Sequence, residues 1–227
     1  MRTLILAAAL VGAAAPLAAQ HQHGGGAGGH AHGAAPHTTL PGGWHARADR
    51  ADAKLEEVTF TAMGGGYHVT SGPAAIYWNP ANAASGEYRA RATFTQTRAP
   101  EHPEAYGLVL AGKNLDGEAP QGPDYMYFLV RGDGKYMVRH RAANGDLHDI
   151  VPWTEHAAIA RADTQGRATN AVAAEAGAFG VRFLVNGTRV AEFLKSQVPY
   201  LNTDGIVGLR VNHRLDVHVA DFAVERR

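Results

Sequence analysis

The chain has no cysteine. That absence excludes disulfides, thiol nucleophiles and thiolate metal sites, and it leaves stability to burial and backbone hydrogen bonding. Neither sign of charge is in excess: 21 lysines and arginines stand against 21 aspartates and glutamates. The whole-chain field therefore gives no reason to expect nucleic acid or an anionic membrane as a partner. Long helical patterns are scarce, and past the N-terminus no apolar run reaches the length that spans a bilayer. No glycine-rich phosphate loop leads from a strand into a helix, because Gly64-Gly65-Gly66 lies between two strand-like runs. Ser71, Ser85 and Ser196 all lack a Gly-x-Ser-x-Gly setting, which sets aside a serine nucleophile.

What is present starts with a targeting pattern. Arg2, the apolar stretch Leu4 to Val11 and the alanine-rich run ending in Leu17-Ala18-Ala19 predict a signal peptide over residues 1–19. The expected product is exported, to the periplasm or outside the cell, with no integral membrane span after cleavage. Residues 20–43 are low in complexity: His21, His23, His30, His32 and His37 sit among glycine and alanine. Such a stretch carries too little apolar surface to offset its ordering entropy, so a disordered linker is expected. Its imidazoles are weak candidate ligands for a divalent metal such as copper, zinc or nickel, although nothing fixes their geometry.

Residues 44–227 read as a single β-sandwich domain, because short runs with period-two alternation recur between turn signals. The most informative stretch is Tyr125 to Arg141, two alternating runs around Gly132-Asp133-Gly134. A three-residue loop pairs Val130 with Tyr136, Phe128 with Val138 and Met126 with His140 on an apolar face. The opposite face then pairs Tyr127 with Arg139, Tyr125 with Arg141 and Leu129 with Met137. A two-residue loop would set Phe128 against Arg139 and turn every side chain over, so the three-residue register is preferred. Tyr125, Tyr127, Arg139 and Arg141 become candidates for stacking on and hydrogen bonding to a flat polar ligand. The plain alternative is a set of cross-strand pairs on a solvated face, each contributing about 0.2–1 kcal/mol.

Elsewhere, Val58 and Phe60, Tyr67 to Thr70, and Ile76 with Trp78 suggest strands, the last stopped by Asn79-Pro80. Tyr88, Ala90, Ala92 and Phe94 face one way along a strand, and Tyr106 to Ala111 is apolar on both faces and hence central. Residues 96–104 and 112–124 form long connections suited to rim a groove. Asp146 to Val151 is strand-like, with a helical turn expected within Trp153 to Ile159. Asn186-Gly187 favours a type I′ hairpin with Phe183 opposite Val190 and Leu184 opposite Arg189. In the last strand the apolar phase slips at Ala220-Asp221, which predicts a β-bulge.

The order of Tyr127-Phe128-Leu129, Gly134-Lys135-Tyr136, Trp153-Thr154 followed by Ala158-Ile159, Asn170, Phe183 to Gly187, Gly205 to Leu209 and Asp221 to Val224 resembles the concanavalin A-like lectin/glucanase superfamily. Within it, the chain looks most similar to laminin-G-like domains and to the 3-keto-disaccharide hydrolase domain family. The resemblance implies an all-β jelly-roll sandwich of two antiparallel sheets, with a concave face on which relatives bind sugars. It carries over no catalytic residue. The closely spaced acidic residues of retaining glucanases have no counterpart, as no Glu-x-Asp-x-Glu occurs, and Tyr106 to Ala111 lacks the Asn-Ser-Gly of the hydrolase family.

Three readings of function follow. The leading one is an exported carbohydrate-binding domain that takes a glycan or oligosaccharide on Tyr125, Tyr127, Arg139 and Arg141, with Trp153 as a stacking platform; Trp44 and Trp78 are further candidates, though large aromatics in a sandwich are more often core. The second is a glycan hydrolase or lyase with His213, Asp216 and His218 as an acid/base or metal-binding cluster, since residues two apart on a strand share a face. An ordinary wet sheet face also contains such residues. The third is a non-catalytic envelope protein whose histidine-rich segment binds metal.

Overall fold

The computed structural model describes residues 40–118, 121–199 and 201–227. The expected signal peptide and the histidines at 21, 23, 30, 32 and 37 lie outside the described residues, as do most of the expected linker. Among the described residues the architecture is all-β. In chain order the strands are β1 (His45–Ala48), β2 (Thr59–Met63), β3 (Gly66–Thr70), β4 (Ala75–Ala84), β5 (Tyr88–Gln96), β6 (Ala105–Lys113) and β7 (Asp124–Arg131). They continue with β8 (Lys135–Arg141), β9 (Leu147–Glu155), β10 (Ala168–Ala176), β11 (Gly180–Val185), β12 (Thr188–Leu194), β13 (Gly205–Val211) and β14 (Asp216–Arg226).

They form two antiparallel seven-stranded sheets. The first has the order β1-β4-β13-β6-β7-β8-β9 and the second β12-β11-β10-β5-β14-β3-β2. Period-two alternation drives this arrangement: Tyr88, Ala90, Ala92 and Phe94 of β5 point inward to meet Tyr106, Leu108 and Leu110 of β6 and Phe128 and Val130 of β7 in one core. Phe94 packs on Tyr106 with ring centroids 5.2 Å apart, and Phe128 on Phe183 at 4.9 Å. As expected, β6 lies in the middle of its sheet and is buried on both faces.

The central hairpin has the three-residue register. Tyr125 pairs with Arg141, Met126 with His140, Tyr127 with Arg139, Phe128 with Val138, Leu129 with Met137 and Val130 with Tyr136. Gly134 closes the turn at φ 88°, a conformation that a side chain would strain. Asn186 and Gly187 take φ 50° and 79°, as a type I′ turn requires, and the register of β14 shifts between Ala220 and Ala223 with Asp221 at φ 54°.

Three local expectations are corrected. Asn79-Pro80 does not end its strand, for β4 runs on to Ala84; β1 pairs only with Ala75 to Trp78, so among the described residues no strand pairs with β4 on that side beyond Trp78, and proline's missing N–H is tolerated there. Phe183 stands opposite Ala191 rather than Val190, because a bulge between Phe183 and Leu184 absorbs one residue. Trp153 belongs to β9, which runs unbroken to Glu155, and one turn at His156–Ile159 replaces the expected helical turn.

Candidate functional site

The outer face of the first sheet is assembled by register. His45, Trp78, Gly208, Val109, Tyr127, Arg139 and Asp149 are successive cross-strand partners over all seven strands. Beside this row runs a second one, Arg47, Ile76, Arg210, Gly107, Leu129 and Met137. The sequence-predicted Tyr125, Tyr127, Arg139 and Arg141 thus do share one face, and Trp153 on β9 joins the same cluster.

The face is not the open tyrosine platform that alternation alone suggests. Tyr125 is 3% and Tyr127 4% exposed, and with Ile76, Trp78, Ala105, Val109, Leu115, Leu129 and Met137 they make a second buried apolar cluster, separate from the inter-sheet core. The two phenol rings lie 5.8 Å apart. Burial pushes the Tyr125 hydroxyl up to about 12, with Arg210 nearby pulling the other way.

Guanidiniums lie across these rings. The Arg210 Cζ stands 4.7 Å from the centre of the Tyr127 ring, and Arg131 4.4 Å from that of Trp153, each contact worth about 0.5–2 kcal/mol. Arg210 is itself buried, and it donates from Nη1 to Asp49 Oδ1 at 2.7 Å and from Nη2 to Asp49 Oδ2 at 2.5 Å. Burial alone would lower the Arg210 pKa, but the bonds and charge of Asp49 outweigh it and the net shift is upward. Arg139 donates to Asp149; that bond raises its pKa against the effect of burial, and Tyr127 adds to the rise. Arg141 donates to the Pro123 carbonyl at 2.7 Å. The polar edges reach solvent: the Arg139 side chain is 26% exposed and that of Asp149 44%.

The second predicted cluster does not assemble. Asp216 and His218 do share the outer face of the second sheet, but His213 turns to Glu104, 3.0 Å away. Asp216 is instead 3.1 Å from His68 Nε2, and it accepts hydrogen bonds from Thr70 at 3.3 Å and from Thr97, with Arg98 at 3.7 Å. Both its oxygens are engaged, by His68 and Thr70 of β3 and by Thr97 and Arg98 of the loop after β5, so Asp216 groups with His68 rather than with His213. Among the described residues no three His, Asp or Glu side chains group closely enough to hold a metal ion. His68 went unnoticed in the sequence, although its alternation with Tyr67 and Val69 placed it on this face. Asp49, Arg210 and Asp149 were likewise missed; only the parity of Arg210 was readable.

The fold that carries these two faces is a jelly-roll sandwich of two antiparallel sheets, the architecture that the resemblance to concanavalin A-like proteins implies. Solved structures with the same architecture include a carbohydrate-binding module, CBM66, from Bacillus subtilis, at 10% identity and TM-score 0.56, covering 83% of this chain and 99% of that one. A Bacillus subtilis protein of unknown function with a galectin-like fold is 15% identical with TM-score 0.54, covering 81% and 90%. A Bacteroides ovatus mixed linkage glucan GH16 protein, solved with a product, is 7% identical with TM-score 0.52, covering 78% and 92%. At these identities the likeness is one of fold. No family model and no curated protein matches the sequence.

Proposed function

We propose that the protein is a carbohydrate-binding module that holds a glycan along the outer face of its first sheet. The observation that carries this reading is the cross-strand row from His45 to Asp149, in which buried phenol and indole rings brace guanidinium–carboxylate pairs whose outer edges reach solvent. Tyr125 and Tyr127 then serve as the bed for Arg210 and Arg139, while the arginine, carboxylate and half-buried Trp153 edges meet sugar hydroxyls and ring C–H groups. The carbohydrate-binding module of the same architecture supports this reading. Export, to the periplasm or beyond, belongs to the same proposal and rests on the pattern of residues 1–19.

Binding is favoured over hydrolysis by the placing of the carboxylates. Glycosidases need two of them about 5–9.5 Å apart. The two carboxylates that brace the row's arginines are far apart, for Asp49 pairs with Arg210 of β13 and Asp149 lies on β9, four strands away. At about 4.8 Å per strand that is roughly 19 Å. Both are already engaged by arginines, which suits orientation of a ligand rather than proton transfer to it.

The test is affinity electrophoresis of the full chain through gels containing soluble β-glucan, xylan, fructan or pectin, with a parallel assay for released reducing ends. At least one polysaccharide should retard the protein with no reducing sugar formed. Free migration in every gel, or steady product release, contradicts the reading.

A further inference from the structure

At the end of the sandwich near the β7–β8 turn, a cavity of about 290 Å³ opens between three loops. Its walls come from the residues after β5, from the turn at Gly132 and from Ala162 to Gly166. The walls are pinned. Ala162 donates its N–H to the Gly132 carbonyl at 2.8 Å, and Arg161 Nη1 donates to the Asp133 carbonyl at 2.6 Å. Gly166 sits at φ +78° so close to Ala99 that a Cβ would lie 2.1 Å from the Ala99 nitrogen, so only glycine lets these two loops meet.

Gln96 stands in this cavity's wall. It continues the inward-facing line of Tyr88, Ala90, Ala92 and Phe94, yet it is an amide, and it is only 1% exposed. Its Nε2 donates to the Gly166 carbonyl at 2.5 Å, whereas its Oε1 is buried with no hydrogen-bond partner. That oxygen faces Gly132, whose lack of a side chain keeps the space open: a Cβ there would press on Oε1 at 3.3 Å. A buried amide oxygen without a donor costs about 1–3 kcal/mol, a cost that a bound donor would remove.

The rim narrows the chemistry of that donor. Four carboxylates line it, and each is engaged: Glu101 by Arg214, Glu104 by His213, Asp133 by Arg131, and Asp163 by the N–H groups of Gln165 and Arg167. Beside them stand His102, Thr164 and the unpaired Gln96 acceptor, with Pro100, Pro103 and Ala162 supplying apolar surface. The volume is about ten times the share of one water in the liquid. It suits one sugar ring.

We propose that this cavity is a second subsite that takes a single neutral sugar residue, a glycan end, with a hydroxyl donating to Gln96 Oε1 and the ring C–H face on the prolines. This rests on the carbohydrate reading above and adds to it an end-on site away from the sheet face. The test is a titration of the isotope-labelled full chain with the methyl glycosides of glucose, galactose and fructose, following the Gln96 side-chain amide and the backbone amides of Gly132 and Ala162 by NMR. At least one glycoside should shift these signals saturably. Gln96→Met, of similar length but without the acceptor, should bind it about tenfold more weakly, and Ala162→Leu, which fills the cavity and leaves Gln96 intact, should abolish the shifts. Signals unmoved by every glycoside, or affinity unchanged in both variants, overturn the proposal. If polysaccharides still retard the protein in gels while these signals stay still, the cavity assignment alone falls; if retardation is absent too, the carbohydrate reading falls with it.

Discussion

Two cross-strand rows, one on each outer face, invite comparison. On the first sheet the row runs His45, Trp78, Gly208, Val109, Tyr127, Arg139, Asp149; on the second it runs Thr61, His68, His218, Thr95, Thr169. The second row keeps to the polar side of period-two alternation, with short hydroxyls and imidazoles, and Thr95 and Thr169 are joined at 3.0 Å. The first departs from that rule by burying indole and phenol where polar residues would serve solubility and by seating a buried guanidinium on them. On the proposed function, that departure from alternation serves the ligand rather than the core.

If the first face is a braced network, breaking it should cost far more than breaking the second. Asp49→Ala leaves the buried Arg210 charge without its partner, and urea unfolding should report a loss of about 3–5 kcal/mol. A loss below about 1 kcal/mol would show the two faces to be alike.

The buried phenols provide the next contrast. Burial raises Tyr125, on the outer face, and Tyr106, in the core, each to about 12. A phenol whose folded pKa exceeds its ordinary value of about 10 favours the folded state fully below that pH, and this contribution drains away as the pH climbs toward 12. Ultraviolet titration should therefore show late phenolate formation accompanied by falling stability above pH 10. In a Tyr125→Phe variant the late amplitude should shrink; an unchanged curve would mean that the outer phenol titrates freely.

On the second face, His68→Ala removes one of the four groups held on Asp216 and should cost about 1 kcal/mol, readable as a small drop in melting temperature. The smallest effect belongs to Thr95→Ala, expected within about 0.5 kcal/mol.

Much of the fold was legible because it rests on local rules. Gly132-Asp133-Gly134 set a hairpin whose pairing follows from side-chain parity, Asn186-Gly187 set another, and the slip of apolar phase at Ala220 set the bulge. The site was legible by halves. Parity gathered Tyr125, Tyr127, Arg139 and Arg141 on one face, but not the burial of those rings, which is a tertiary outcome. Arg210 reads as an exposed polar position until Asp49, 161 positions earlier, is brought beside it. His213 fails for the same reason in reverse: its neighbours in sequence suggested a cluster, while Glu104, distant in sequence, claims its ring. Gln96 was assigned to the loop of residues 96–104, whereas β5 runs through it, and its meaning depends on loops that meet there only in three dimensions.

The most direct measurement is calorimetric binding of one retarding glycan to two single variants, Arg139→Ala on the first face and Thr95→Ala on the second. The account predicts at least about tenfold weaker binding for the first, through loss of a charged hydrogen-bonding group, and wild-type affinity for the second. Equal affinity in both, or a loss confined to Thr95→Ala, would contradict it.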